Sequence, residues 1–458
     1  MFSMLSISAQ LQALALEYNN ERGGSLQTDY LAMKEAFREK AIQCLLLARY
    51  TAGGPHILET LIMILTGESI LVKSSGTDGW LSISMILQIA TRMGYHRDSD
   101  HFPGLSPFDG EMRRRIWTTI VQLDLGLSLE MGLPRNATNT HIDLREPRNL
   151  RECDFDVDTA LMPSPRPESE WSPVLALVAR ARLISTLGLI CDVITDISPP
   201  AYDKVIRIDA MLQDVLKNAI PSVLRWSPAP YSITDSPNLL IQRVSIQTTY
   251  HKARILLHRR ALIGCPGERL HERDKESIRV CVDSAIKILS FQEMLHEESQ
   301  PLGRLSQLRW KVTHIFNQDV LLATSVLCLY LQEMGKAKLA EALGQTQWAP
   351  TVEEIRQRLT TSHKIWLQMS ATSVEAGKVA RALSLVLENT RPTIDDDGYL
   401  TSYDFLSGFD GSTSFNDQGR KRDGLKETAA NVSSDFPSAF YSPLTFFDNI
   451  LDTCGIAE

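Results

Sequence analysis

Paired cysteines are missing from this chain. Its seven cysteines, at 44, 153, 191, 265, 281, 328 and 454, are scattered, odd in number and never spaced C-x-x-C. That pattern argues against a structural zinc site and against a disulfide framework, and it fits a reducing compartment. A basic excess is missing too. Lys and Arg number 47 against 55 Asp and Glu, for a net charge of −8. Affinity for a phosphate backbone comes largely from Lys and Arg displacing counterions, so direct nucleic-acid binding is not expected. No long apolar run occurs. The most apolar stretch, 57–72, is broken by Glu59, Thr66, Gly67 and Glu68. It falls short of the ~18 uninterrupted residues of a membrane span and reads as a core helix. The N-terminus carries Ser and Gln through its apolar part and has no basic start, so no signal peptide is expected. The sequons at Asn136 and Asn431 then carry no meaning. Strand alternation with Asn-Gly or Asp-Gly turns is nearly absent. No G-x-S-x-G, H-E-x-x-H, Walker loop or G-x-G-x-x-G occurs, which excludes the common catalytic and nucleotide sites.

What is present is helix. At 458 residues the chain exceeds the roughly 250–300 at which one core stops growing. Two subdomains or one large helical assembly are expected. Helical spacing of apolar residues predicts helices over 29–50, 56–72, 80–93, 109–131, 173–195, 201–219, 236–264, 268–298, 305–334 and 351–389. Asp29 is expected to cap the first, whose apolar side is Tyr30, Met33, Ala41, Cys44, Leu45 and Ala48. Residues 133–172 are proline-rich and irregular. The fold class is all-α, built of antiparallel helix pairs over residues 1–390. Residues 391–458 differ. Five basic residues there face twelve acidic ones, and ten of the chain's 32 aromatics are interleaved among them. That composition predicts a largely disordered acidic segment whose solvated rings stay available to a partner.

The most informative stretch runs from Gly94 to Asn149. Gly94 is placed to stop the helix before it, since a residue without Cβ enters the left-handed region cheaply. Pro103, Gly104 and Pro107 hold the next dozen residues out of regular structure. Asp109 is expected to cap a helix whose buried stripe is Met112, Ile116, Ile120, Leu123 and Leu127, with Gly132 and Pro134 ending it.

This stretch resembles the middle homology region, the regulatory domain of the fungal binuclear-zinc-cluster transcription factors. The matching residues are Gly94, His96, Arg97 and Asp98; Glu111, Met112, Arg113, Arg114, Arg115, Ile116 and Trp117; Asp124, seven residues after the Trp; Gly132 and Pro134; Pro147 and Asn149. The helix Tyr250–Arg260 is similar to a second, weaker landmark, with Arg260 where the family usually has Pro. The resemblance implies a nuclear transcription regulator, often devoted to one pathway such as a biosynthetic gene cluster, and not an enzyme. The family's zinc cluster is not seen here, because no cysteine precedes Cys44 and no basic C-x-x-C run occurs, so no cofactor is expected in this chain. DNA would then be reached indirectly or through a missing N-terminal region. The acidic tail would contact a coactivator or the transcription machinery, and the helical body would restrain or display it, in response to a small metabolite held between helices. The body itself would form a homodimer or pair with a zinc-cluster factor; no membrane is implied. A second possibility is an interaction protein that heterodimerises with such a factor and inhibits or assists it.

Several residues invite chemical readings. Arg113, Arg114 and Arg115 beside Asp109 and Glu111 suit an intramolecular ion-pair set better than a nucleic-acid patch. Arg113, Trp117 and Asp124 fall near one helical face, which predicts a Trp-covered ion pair bracing the loop after Gly132. His96-Arg97-Asp98 mimics the kinase triplet without the kinase's other motifs. His96, Asp98, Asp100 and His101 have metal-capable side chains but lie in a Pro/Gly loop without cysteine. Asp154, Asp156 and Asp158 open like a calcium loop, but Thr159 and Pro165 stand where Gly and Glu are required. Asp395-Asp396-Asp397 is similar to a magnesium-binding aspartate cluster, yet stands in the Gly-rich tail. Arg420-Lys421-Arg422 is the tail's basic cluster, a candidate import signal or a solvated charge run.

Overall fold

The structure is a computed structural model and describes residues 1–18, 24–70, 76–138, 143–198, 200–226, 235–263, 271–335, 352–370, 373–389, 392–394 and 400–403. Two compact units divide the chain between Leu327 and Cys328. The rest of the acidic tail, with Asp395–Asp397, Arg420–Arg422 and Asn431, lies outside the described residues.

The first unit opens with α1 (Phe2–Tyr18), which packs mainly against α2 (Gly24–Leu47). α1 is not among the helices expected from apolar spacing, and Ser and Gln interrupt its apolar residues. Three of those polar residues belong to its buried side. Ser3, Ser6 and Gln10 are enclosed together with Ala9 and Ala13, one small or polar residue per turn. The Ser6 hydroxyl donates to the Lys34 carbonyl at 2.9 Å and the Gln10 amide to the Gly67 carbonyl at 3.2 Å. Small residues let the helices approach, and the hydrogen bonds offset the cost of burying polar groups. α2 begins before Asp29, which is therefore within the helix and not its cap. Its buried residues include Ala41 and Leu45, one turn apart, while Met33, Cys44 and Ala48 face solvent.

α3 (Ile57–Leu65) gives way to a π turn at Thr66–Ile70, so the predicted 56–72 helix is α-helical for about half its length. α4 (Gly76–Arg92), α5 (Pro107–Met131), α6 (Pro173–Ile194), α7 (Tyr202–Asp214), α8 (Pro237–His258), the single turn α9 (Arg260–Ile263) and α10 (Glu272–Glu298) follow. Neighbours pack in the series α4 on α5, α5 on α6, α6 on α8 and α8 on α10. Ile120, Leu183, Val244 and Ile255 are sealed from solvent within that series. α6 is apolar and long enough to cross a bilayer, but more than half of its apolar window is buried inside the protein. It is a core helix. α11 (Arg309–Gly335) contains the division between the units, and its Val312 and Phe316 complete a cluster with Leu240, Val244, Phe291 and Leu295. Trp226 meets the Phe291 ring edge-on at 5.1 Å.

Three of these helices begin alike. Ser106-Pro107, Ser172-Pro173 and Ser236-Pro237 each place a serine at the N-cap and a proline at the first helical position. The three hydroxyls accept from the amides of Asp109, Leu175 and Leu239 at 3.1–3.2 Å. Proline has no N–H to orphan there, and its fixed φ suits a helix start. Ser106, not Asp109, is therefore the cap of α5.

In the second unit the predicted 351–389 helix is two helices, α12 (Val352–Met369) and α13 (Val374–Asn389), packed on one another. Ser373 caps the start of α13 by accepting from the Ala376 amide at 3.3 Å. A short antiparallel pair, β1 (Pro392–Ile394) and β2 (Leu400–Tyr403), follows with Pro392 opposite Tyr403. Among the described residues the fold is all-α apart from this pair.

Candidate functional site

Gly94 has φ +75° and closes α4, with the Tyr95 amide donating back to the Ala90 carbonyl at 3.0 Å. A Cβ at Gly94 would stand 3.0 Å from the Phe102 ring, so both conformation and space require glycine. The chain then makes a turn at Ser99–His101 that Asp98 caps through the Asp100 amide. Asp98 is buried and does more. Arg114 of α5 clamps it along one edge of its guanidinium, Nε and Nη2 donating at 3.0 and 2.7 Å, and the Arg145 amide donates to it at 3.0 Å. Burial alone would raise the Asp98 pKa. The Arg114 guanidinium and the amides of Arg145 and Asp100 outweigh it and hold the carboxyl well below its ordinary range. One carboxylate thus joins the end of α4, the start of α5 and the loop near residue 145. Asp143 repeats the scheme nearer the surface, accepting from the Asp98 amide and Arg97 at 3.0 Å and meeting His101 Nε2 at 2.7 Å.

Glu111 lies one turn before Arg115 and is almost wholly enclosed. Its Oε1 accepts from Arg115 at 3.1 Å and from the Arg148 amide at 3.0 Å, while Arg115 also donates to the Leu150 carbonyl. Here burial wins, and the Glu111 pKa is raised despite Arg115. Next in the loop, the buried Asn149 donates its amide to the carbonyls of Arg166, Pro167 and Glu170 at 3.2–3.3 Å. Its oxygen accepts from the Ser172 hydroxyl at 2.6 Å, the same hydroxyl that caps α6. Asn149 therefore fixes both the Pro-rich loop and the start of the helix that follows it. Pro147 is buried between these two anchors.

Asp124 is sealed from solvent and braces the loop after Gly132, as expected, but not through Arg113. It accepts from the Asn136 amide at 3.0 Å, the Asn136 side chain at 2.7 Å and the Ala137 amide at 2.8 Å. The predicted Arg113–Trp117–Asp124 set is corrected on this point. Arg113 lies three turns away, stacked over Tyr95 at 4.3 Å and near Phe102 at 4.8 Å, and donates to the Met93 carbonyl. Trp117 packs against His96 with ring centres 6.0 Å apart. Helical periodicity placed the three on one face, but eleven residues of helix separate the charges too far for a contact. Gly132 takes φ +65°, as a helix-ending glycine does. Pro134 is exposed at its ring, while its carbonyl accepts from Trp80 Nε1 at 3.3 Å.

The landmark on α8 works in the same way. Arg254 grips Asp209 of α7 at 2.8 and 3.1 Å, and the buried His258 lies 3.1 Å from the Ser277 hydroxyl of α10. The apparent calcium loop is also committed elsewhere, since Arg166 takes both oxygens of Asp154 and Thr159 closes a turn on Asp156. The buried Cys191 and Cys281 thiols are pushed up to about 11 and about 12 by burial, which makes them poor nucleophiles. The signature is therefore a set of internal splints. Its charged groups are spent on holding the 94–106 and 132–172 loops against α5 and α6.

Sequence reasoning missed Asp143, Arg145 and Ser172, and with them Arg182, which bridges Glu146 and Glu168 at 3.0 and 2.6 Å. These are loop contacts of high sequence separation with no periodicity to reveal them. Ser172 alone had a visible signal, its Ser-Pro helix start.

The family model described as "fungal specific transcription factor domain" matches residues 5–220, the segment that holds the splints of the 94–106 and 132–172 loops. Residues 5–220 form a fungal specific transcription factor domain. Relatives extend the likeness beyond that domain. The fusarisetin A cluster transcription factor of a Fusarium species is 38% identical over 98% of this chain and 59% of its own length. The equisetin cluster transcription factor of Fusarium heterosporum is 39% identical over 84% of this chain and 54% of its own length. A Zn(2)-C6 fungal-type transcription factor of Monascus ruber is 36% identical over 82% and 46%. The chain thus spans about half the length of the curated relatives it matches. No solved structure matches it. The buried Asp98, Glu111, Asp124 and Asn149, which hold the two long loops, all lie inside the matched segment.

Proposed function

We propose that this chain is the helical body of a nuclear, pathway-specific transcription regulator that controls one biosynthetic gene cluster. The observation that carries the reading is the likeness over 98% of the chain to a relative named as the transcription factor of such a cluster. The internal use of Arg114 and Arg115 supports a division of labour, because two of the signature arginines are clamped on Asp98 and Glu111 and are not offered to phosphate. In this reading the body reaches promoters through a zinc-cluster segment or partner, and the acidic, aromatic tail contacts a coactivator. The test is to tether the whole chain to a promoter through a foreign DNA-binding domain. Reporter output should change, and a version ending at residue 390 should lose most of that change. A silent reporter from both the whole chain and residues 391–458 alone would count against the reading. The second reading, a dimerising inhibitor of a zinc-cluster factor, would show as capture of that factor by the body together with repression of its reporter.

A further inference from the structure

Between α5, α6, α8 and α11, within the first unit, lies a cavity of about 160 Å³ that the splints do not use. Its apolar wall is Leu125 and Leu129 of α5 with Leu183, Ile184 and Leu187 of α6. Gly126 leaves that wall open on the α5 side. The polar wall is unequal. Lys252 is paired with Asp319 at 2.8 Å and also faces the buried Glu130 carboxyl, whose pKa burial raises, so this cation is already matched by acids. Arg180 has no such partner among the described residues. Its guanidinium donates to two carboxamide oxygens, Gln242 at 2.7 Å and Gln122 at 3.3 Å, which carry no charge. Burial, with no acid to offset it, lowers the Arg180 pKa, and burial first, with the Arg180 charge added, lowers that of Lys311 nearby. Lys311 likewise has an uncharged partner, Asn238 at 3.3 Å.

A partly buried guanidinium satisfied only by amide oxygens, at the edge of an apolar cavity, is an incomplete arrangement. Guanidinium groups in such settings pair with carboxylates in a planar, two-pronged fashion. The volume sets the size of the occupant, since a cavity of about 150 Å³ holds a benzene-sized molecule and drug-sized ligands need about 300 Å³ or more. We propose that this cavity binds a small monocarboxylate, with the apolar body among the α5 and α6 leucines and the carboxylate on Arg180. Binding there would link four helices of the body.

The test uses the purified whole chain and isothermal titration calorimetry with three probes: sodium hexanoate, sodium benzoate and 1-hexanol. At least one carboxylate should bind saturably, one per chain, and hexanoate at least ten times more tightly than hexanol. Arg180→Met should reverse that preference, and Leu187→Phe should remove hexanoate binding by filling the cavity. Arg182→Gln, which alters a guanidinium bound to Glu146 and Glu168, should leave the affinity unchanged. Helicity measured by circular dichroism checks that each variant folds. No saturable binding of either acid up to 10-millimolar probe would overturn the proposal. So would equal affinity of the unaltered chain for hexanoate and hexanol, a comparison that needs no variant. Because binding is read on purified protein without DNA, failure here leaves the transcription reading standing, and a silent reporter leaves the cavity standing.

Discussion

Asp124→Ala is the sharpest structural test of the splint system. The carboxylate has no exposed surface and accepts from two backbone amides and one side-chain amide at 2.7–3.0 Å. Hydrogen bonds to a charged group contribute about 1.5–3 kcal/mol each, and a buried donor left without a partner costs about 1–3 kcal/mol. Three donors would be stranded together, but water entering the space left by the carboxyl would satisfy part of the loss. A net cost of about 3–5 kcal/mol results, in the range for breaking one half of a buried charged contact. Helix α5 should survive, because the residues of its stripe and its Ser106 cap are untouched. The loss should instead appear locally. Hydrogen exchange at the amides of Asn136 and Ala137 should speed up by at least about thirtyfold, the equivalent of roughly 2 kcal/mol, and thermal unfolding should shift down clearly. Asp124→Asn should behave nearly as badly, since one acceptor becomes a donor aimed at donors. Unchanged exchange at those two amides together with an unchanged melting curve would refute the reasoning.

Other signature residues should respond in different ways. Asp98 has a folded pKa below its ordinary value, so its contribution is complete above the unfolded value of about 4 and is lost as pH falls further. Asp98→Asn should therefore destabilise at pH 7 by about 3–5 kcal/mol and flatten the acid limb of a stability–pH curve. Glu111 has the opposite sign. Its pKa is raised, so the ionised form is disfavoured in the fold and stability is eroded as pH rises through the ordinary Glu value. Glu111→Gln keeps the acceptor oxygen and should cost less than about 1 kcal/mol by denaturant unfolding at pH 7. Gly132→Ala should cost about 1 kcal/mol, the penalty for a Cβ at positive φ, with no change in overall helicity. Asn149→Ala frees three carbonyls and the Ser172 hydroxyl at once, and limited proteolysis should then cut within 150–172 well before the helical body.

How much of this was legible in the sequence depends on the range of the forces involved. Helices driven by an apolar stripe, such as α5 and α10, could be read from spacing, and glycines at 94 and 132 marked helix ends because φ there is positive. α1 could not be read that way, since its buried side is Ser3, Ser6, Ala9, Gln10 and Ala13, a stripe of small and polar residues that becomes favourable only against α2 and the start of the π turn. The start of α13 is marked by a single serine cap. The signature pointed to the right residues but to the wrong pairing. Asp124 and Arg113 share a face, yet their partners lie in loops 12 to 20 residues away along the chain, and no periodicity encodes a loop's return path. Charge composition told more about the whole than about the site. The acidic balance argued against phosphate binding, while the Arg180 guanidinium, lacking any carboxylate partner among the described residues, came to light only once α5, α6, α8 and α11 were brought together.

The most direct measurement is a transcript profile of the source organism with and without the gene. If the chain regulates one pathway, its removal should change several-fold the transcripts of a contiguous set of biosynthetic genes and few others, and the unaltered gene should restore them while an Asp124→Ala copy should not. Transcripts that stay the same across the genome, under conditions in which the protein is made, would contradict a role in transcription.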